Sequence, residues 1–449
     1  MSLVILGLSG ALTQDPSAAL YIDGQLVAAA EEERFTRQKH AKDAMPLHAA
    51  RFCLKEAGLK PKDVQVVAFP YAKISLLGSK ARWHYAKRYW YAPERALDAL
   101  FNGNRHYRRN VGKVKRLLHD LGIDWNRISF DAVEHHLAHA SSAYHLSGFK
   151  EKTAILGIDG KGEYATTFFG YGENGRIHKI KEFFDPDSLG QLYASFTEYL
   201  GFEMLDGEYK VMDMAPYGNP ELYDLSRLVD FDGRNIKVNT ALVNTIGLRR
   251  YKEGRKGFYF SQKLIDWLGP RRKGDIADEP YIHYAAAIQK MYEDISLGLI
   301  DAWLSDILKE TGKLVFAGGG ALNVKLNQKI LDLPYVQELF VQPAASDAGT
   351  AVGAASYSSW RRGSPPQKMS HVYLGPSYTT DECVVACATH PMKPIYKQGN
   401  NVATTVAELL VAGNPVAWCQ GRMEFGPRAL GGRSILGCPS FKGIANRIN

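Results

Sequence analysis

Cysteine is scarce in this 449-residue chain. The five present, Cys53, Cys383, Cys387, Cys419 and Cys438, are too few and too scattered for a disulfide framework, and an odd number favours a reducing compartment. The cytoplasm is therefore the expected location. Long apolar runs are also missing, for no stretch approaches the roughly 18 residues that a membrane span needs. The N-terminus has an apolar run from Leu3 to Leu8 but neither a basic leader nor a cleavable apolar core, so no secretion signal and no anchor are expected. Nor is there an extreme of charge. Lys plus Arg number 55 against 47 Asp plus Glu, a net charge of +8, which admits anionic ligands without demanding nucleic acid. With 45% apolar and 23% charged residues, and 42 Gly against 20 Pro, the composition excludes fibrous, collagenous and disordered classes. At roughly 150 residues per domain, the length suggests two to four domains.

What is present is a recurring pattern. Val4 to Leu8 reads as a short buried strand stopped by Ser9 and Gly10, and SAALYIDGQLVAAAEEER then reads as two strands around the turn at Asp23 and Gly24. The run AILGIDG, Ala154 to Gly160, is followed by TTFFGYGENGRIHKI, again two runs around a Gly/Asn turn. Strand, glycine-containing loop and hairpin, twice over, predict an α/β protein built from duplicated ribonuclease-H-like halves of the actin, Hsp70 and sugar-kinase type, with a nucleotide held between them. Helical spacing covers Pro46 to Gly58, and a long helical stretch follows Tyr281 and ends at Gly312. The cluster of Gly, Ser and paired Pro at 361–376 marks the clearest boundary. It divides a first domain, 1–360, from a second that starts near 371 and reaches 449, where the end is abrupt and lacks a cap signal.

The strongest local signal is EHHLAHA at Glu134 to Ala140, which places His135 and His139 at i and i+4 on one helix face. Two imidazoles so spaced can bind one transition metal, and equally can be solvated or core histidines. A metalloprotease needs a glutamate beside the first histidine; here that neighbour is His136, so proteolysis is disfavoured. A metal would want carboxylates, and Asp159 in GIDG and Asp347 in ASDAG sit beside glycine at the ends of strand patterns, where each also suits a turn or cap.

Gly318, Gly319 and Gly320, followed by Ala321, Leu322 and Asn323, allow backbone N–H groups to approach a phosphate, or a strand to pack closely on a helix. The loop is neither a Walker loop nor a dinucleotide fingerprint. GEYKVMDMAPYG sets Glu208 and Lys210 between Gly207 and Gly218; the lysine could meet a phosphate or stand exposed on a strand edge. In GRMEFGPRALGGRS, Arg422, Arg428 and Arg433 lie among close-approach glycines and suit recognition of an oxyanion. From Lys73 to Arg116, about a dozen basic residues face two acids and alternate with Trp83, Tyr85, Tyr89, Trp90, Tyr91 and Tyr107. That segment could dock an anionic acceptor or be a solvated helical insertion.

Taken in order, DPSAALYIDGQLVAAAEEERFTRQKH, EHHLAHA, GIDG, GEYKVM with APYG, FAGGGALN, QPAASDAGTAVGAA and GRMEFGPRALGGRSIL resemble the O-carbamoyltransferases of the NodU/CmcH type over nearly the whole chain. The resemblance implies a first domain related to the tRNA threonylcarbamoyl transferases and a YrdC-like α/β second domain. It implies that carbamoyl phosphate and ATP form a carbamoyl-adenylate in the second domain, and that an acceptor hydroxyl attacks the carbamoyl carbon in the first. A divalent metal, expected to be iron, would be bound by His135, His139, Asp159 and Asp347. Gly207, Glu208, Gly318, Gly319, Gly320 and Asn323 would line the nucleotide, and Arg422, Arg428 and Arg433 the carbamoyl phosphate. Asp15, His136 and Lys210 would carry catalytic roles, Asp15 as the acceptor-side acid or base.

Two departures from the family pattern stand out: Gln14 stands before Asp15 where the family has His, which weakens the base assignment, and Asp213 stands where a glycine is usual. Family members also continue well beyond this C-terminus, so the sequence is expected to be a fragment. If it were complete, adenylate formation should be lost. The expected partner is a small-molecule or glycan acceptor with a hydroxyl group, with a homodimer allowed and nucleic acid disfavoured. The alternatives are a tRNA threonylcarbamoyl-transfer enzyme, which would use the basic segment for RNA, and a non-catalytic actin-like nucleotide-binding module.

Overall fold

The structure is a computed structural model describing residues 2–448 apart from 11–14, 75–79, 91–92, 103, 244–251, 254–255, 275–277, 393 and 398, with the side chains of 95, 98, 252, 253 and 256 also left out. Gln14 and Tyr91 lie outside the described residues.

The first half runs β1 (Val4–Leu8), β2 (Ser17–Ile22), β3 (Gln25–Glu31), α1 (Leu47–Glu56), β4 (Val66–Phe69), α2 (Arg105–Leu121), β5 (Ser129–Ala132) and α3 (His135–Ser147). The second runs β6 (Thr153–Ile158), β7 (Ala165–Glu173), β8 (Arg176–Phe184), α4 (Leu189–Tyr199), α5 (Glu208–Met214), α6 (Tyr281–Thr311), β9 (Lys313–Ala317), α7 (Val324–Leu331), β10 (Glu338–Val341) and α8 (Asp347–Arg361). The first sheet has the order β3-β2-β1-β4-β5 and the second β8-β7-β6-β9-β10. In both, an antiparallel meander is extended by two strands parallel to its first strand. The duplication reaches single hydrogen bonds: after β1 the Ser9 N–H donates to the Ser17 carbonyl, and after β6 the Asp159 N–H donates to the Thr166 carbonyl. The protein is thus α/β with mixed sheets.

Local chemistry explains these elements. β1 (VILGL) and β6 (TAILGI) are buried throughout, as suits strands covered on both faces. Both hairpins close through two residues in the left-handed region, Asp23 and Gly24 in one and Asn174 and Gly175 in the other. These residue types tolerate the positive φ that such turns require.

The last helix of each half lies against the other half. Ala348, Ala351, Val352 and Ala355 of α8 pack with Ile5, Ala19, Tyr21 and Ala68 of the first sheet. Ala140, Ala143 and Tyr144 of α3 pack with Ile155, Phe168 and Val315 of the second. Small residues make the contact possible. A Cβ on Gly353 would stand 1.8 Å from the Ala138 carbonyl oxygen, and one on Gly7 would stand 2.1 Å from that of Ala351. The N-termini of α3 and α8 thus meet at the seam between the halves.

Beyond α8 the chain runs without regular structure to α9 (Thr380–Thr389), then through α10 (Val402–Val411) to an antiparallel hairpin of β11 (Val416–Cys419) and β12 (Arg433–Leu436). The Ala29 N–H of β3 donates to Leu374, and Tyr373 bridges Glu424, so this region lies against the first half. Among the described residues no helix is long and apolar enough to cross a membrane.

Candidate metal centre

His135 opens α3, His139 follows one turn later, Asp159 comes directly after β6 and Asp347 opens α8. Asp347 is thus a helix-opening residue, not the end of a strand. Each of the four offers a ligand atom, and these atoms lie within 4.8 Å of one another. The two Nε2 atoms are 3.1 Å apart. Nε2 of His135 is 3.3 Å from Asp159 Oδ2 and 3.4 Å from Asp347 Oδ1. From His139 Nε2 the same carboxylates are 3.9 and 3.7 Å away. Donor atoms about 2.1 Å from one ion stand roughly 3.0–3.4 Å apart in octahedral or tetrahedral geometry, so small adjustments seat a single cation.

Electrostatics point the same way. Two carboxylates and two imidazoles at one point, all buried except the partly buried Asp347, carry uncompensated negative charge unless a cation or proton joins them. Burial opposes charge on His135, but hydrogen bonds to Asp159 and Asp347 outweigh it and hold the imidazole well above its ordinary pKa. Asp159 is likewise pushed up by burial and pulled well down by His135.

Neighbouring groups aim these side chains. Nδ1 of His135 lies 3.3 Å from the Pro70 carbonyl, which selects the tautomer with a proton on Nδ1 and leaves Nε2 to the cluster. Glu163 accepts the His135 main-chain N–H and that of Ala72, tying the helix start to the preceding loop. The Gly319 N–H donates to Asp159 Oδ1 at 3.0 Å and turns Oδ2 inward. Gly318 and Gly320 serve packing: a Cβ on the first would stand 2.3 Å from the Ile158 carbonyl and on the second 2.4 Å from the Tyr292 hydroxyl. The packing reading of the triple glycine thus holds at Gly318 and Gly320, while the Gly319 N–H is engaged by Asp159.

Other sequence candidates fall elsewhere. The Nε2 of His136 bonds to the Ala165 carbonyl at 2.9 Å, and burial, then the charge of His135, push its pKa down to about 3. It is placed as a core histidine and not as a proton carrier facing the cluster. Asn323 caps α7 and pairs with Gln289, so its side chain is engaged within the fold. Glu208 and Lys210 lie on α5, a helix and not a strand edge, with Gly207 at its N-cap. Glu208 accepts the Leu205 N–H, and the Lys210 ammonium stands 5.6 Å from the rings of Phe202 and Tyr209.

The arginines do not converge on one anion pocket. Arg422 donates to the carbonyls of Gly375, Val27 and Leu374, and Arg433 to those of Gln420, Gly421, Gly432 and Pro376. Only Arg428 reaches the glycine loop, where it donates to Leu322. In the basic segment, Tyr85 and Tyr89 are buried and Trp83 and Trp90 exposed. His84 and Arg88 anchor it to the buried Asp187.

Around Asp15 stand residues that the sequence did not single out, His40 and Asp206 among them. The His40 ring lies between carboxylates, Nδ1 2.6 Å from Asp15 Oδ1 and Nε2 3.0 Å from Asp206 Oδ1. Ser346, the N-cap of α8, donates to the other Asp15 oxygen at 2.9 Å. The hydrogen bond to Asp15 is the chief cause that raises the His40 pKa to about 9.

With this geometry in hand, comparison with known proteins is decisive. A model of the carbamoyltransferase N-terminus matches residues 4–356, and one of the carbamoyltransferase C-terminus matches residues 407–449.

The chain belongs to the carbamoyltransferase family.

The uncharacterized protein sll1178 of Synechocystis is 37% identical over 97% of this chain and 71% of its own length. Nodulation protein NolNO of Sinorhizobium fredii is 34% identical over 100% of this chain and 64% of its own. Nodulation protein NolO of Bradyrhizobium diazoefficiens is 34% identical over 71% of this chain and 55% of its own. The chain therefore spans between about half and 71% of the length of these relatives. Among solved structures, component A of the Acidaminococcus fermentans (R)-2-hydroxyglutaryl-CoA dehydratase covers 80% of this chain and 99% of its own, with 15% identity and a TM-score of 0.42.

Proposed function

We propose that the protein is an ATP-dependent O-carbamoyltransferase that passes a carbamoyl group from carbamoyl-adenylate to an acceptor hydroxyl, on a sugar or related small molecule. The observation that carries this reading is the convergence of His135, His139, Asp159 and Asp347 at the seam of a duplicated, ribonuclease-H-like fold, in a chain of the carbamoyltransferase family. The region from 371 onward would begin a YrdC-like domain, in which water cleaves carbamoyl phosphate to carbamate and phosphate, and a carbamate oxygen then attacks the α-phosphorus of ATP, giving carbamoyl-adenylate as the bond to pyrophosphate breaks.

The four cluster residues would hold a divalent ion, iron by preference for a mixed imidazole and carboxylate shell. When bound, such an ion supplies Lewis-acid polarisation and a fixed positive charge for substrate oxygens. The chain's own groups do the rest. Gly319 keeps Asp159 aimed at the cluster, and Glu163 with the Pro70 carbonyl keeps α3 and the His135 ring in register. Asp15 would take the proton of the acceptor hydroxyl. The acceptor oxygen then bonds to the carbamoyl carbon, the bond from that carbon to the adenylate oxygen breaks, and AMP departs with the electron pair.

The test compares the full-length protein with its His139→Ala variant in ATP, carbamoyl phosphate and a panel of hydroxyl acceptors. Pyrophosphate release that depends on carbamoyl phosphate, with transfer at least about 100-fold weaker in the variant, is expected. Transfer that proceeds equally well in both proteins would overturn the reading.

A further inference from the structure

Outside the metal cluster a second group of polar contacts surrounds His40. Both of its ring nitrogens face carboxylate oxygens, Asp15 at 2.6 Å and Asp206 at 3.0 Å. A neutral imidazole has one donor and one acceptor nitrogen. Two carboxylate partners therefore call for two N–H donors, and the ring is an imidazolium clamped between two anions. Its surroundings fit that charge. The His40 main-chain N–H donates to Glu33 at 2.7 Å, and Lys39, on the same turn, pairs with Asp206. On the facing segment Tyr209 lies under the Lys39 ammonium and Glu203 pairs with Lys42.

The arrangement also has direction. Asp15 has one oxygen on His40 and the other on the Ser346 hydroxyl, and Ser346 immediately precedes Asp347 of the cluster. Asp15 and His40 both hold positive φ, 50° and 61°, a region uncommon for non-glycine residues but one that Asp and His adopt more readily than most. Asp206 comes from the second half and Asp15 and His40 from the first, so this chain of contacts crosses the seam beside the cluster.

We propose that His40 is a positioning residue of the transfer site: clamped between Asp15 and Asp206, it fixes the Asp15 carboxylate in the orientation in which it receives the acceptor proton. This inference rests on the carbamoyl-transfer reading. It assigns His40 no contact with the substrate. Asp206 acts one step further back, holding the far side of the ring.

The experiment measures kcat, KM for the acceptor and bound metal in the full chain and in His40→Ala, His40→Gln, His40→Asn and Asp206→Asn. The Asn amide can replace the Nδ1–H that faces Asp15, whereas Gln can replace only the Nε2–H that faces Asp206. Expected are a fall in kcat of about 10- to 100-fold for Ala and Gln, a smaller fall for Asn and for Asp206→Asn, acceptor KM within about 3-fold, and unchanged metal content. A parallel titration of the His40 ring by NMR should show a pKa that drops in Asp15→Asn and in Asp206→Asn. Wild-type kcat in His40→Ala, equal losses in Asn and Ala, loss of metal together with kcat, or a ring that titrates alike in all three proteins would each overturn the inference while leaving carbamoyl transfer intact. A wild-type chain that transfers nothing would instead sink the functional reading, and the positioning role with it.

Discussion

At the scale of single residues, the cluster was legible and its support was not. His135 and His139 announce themselves by i, i+4 spacing, Asp159 by the glycine that follows it, and Asp347 by the glycine two residues on. Nothing in the sequence singles out His40, because its partners lie 25 and 166 positions away. The arginines are hard to read for a related reason. Their glycine-rich setting is real, but Arg422 and Arg433 are spent on main-chain carbonyls, and composition cannot tell a carbonyl clamp from a phosphate clamp. His40 also makes a prediction about pH. Its folded pKa is raised from 6.5 to about 9, so its contribution to stability is fully present below about pH 6.5 and is lost as pH rises through about 9. After allowance for partial solvent screening this amounts to about 2 kcal/mol. The gap in unfolding free energy between wild type and His40→Ala should narrow by that amount between pH 6 and pH 10, as read from urea unfolding at each pH; a constant gap would contradict the ion pairs.

At the scale of elements, both hairpins were readable because Asp-Gly and Asn-Gly turns carry their backbone preference in the residue type. The GEYKVM segment was ambiguous. Its seven residues from Glu208 to Met214 form a helix, too short a stretch for periodicity to distinguish helix from strand. The small residues of α8 were visible as a pattern, but their purpose, contact with α3, depends on a helix some 200 residues earlier. That contact yields a prediction. Gly353→Val drives a side chain into the Ala138 carbonyl and should cost about 3 kcal/mol or more. It should also lower metal occupancy, since α3 and α8 carry three of the four cluster residues. Thermal unfolding and elemental analysis of the same sample check both, and a variant as stable and as metal-rich as wild type would contradict the packing account.

At the scale of the molecule, duplication is what places the site. Two like sheets exchange their final helices, so the N-termini of α3 and α8 meet only when both halves are folded. The recurrence of strand, loop and hairpin foreshadowed this, whereas the exchange itself left no mark on local sequence. The region after α8 is bound to the first half by Arg422, which reaches Val27 on β3. Arg422→Ala should therefore expose residues 377–449 to limited proteolysis several-fold faster than wild type while the 1–360 region stays resistant; equal digestion of both proteins would show that the clamp is idle.

If the cluster is one divalent-metal site, anaerobic loading of the full chain with Fe2+ followed by elemental analysis should find about one ion per wild-type chain, and almost none in a variant carrying both Asp159→Asn and Asp347→Asn that still folds by circular dichroism. A wild-type chain that retains no metal, or a double variant that retains as much as wild type, would contradict it.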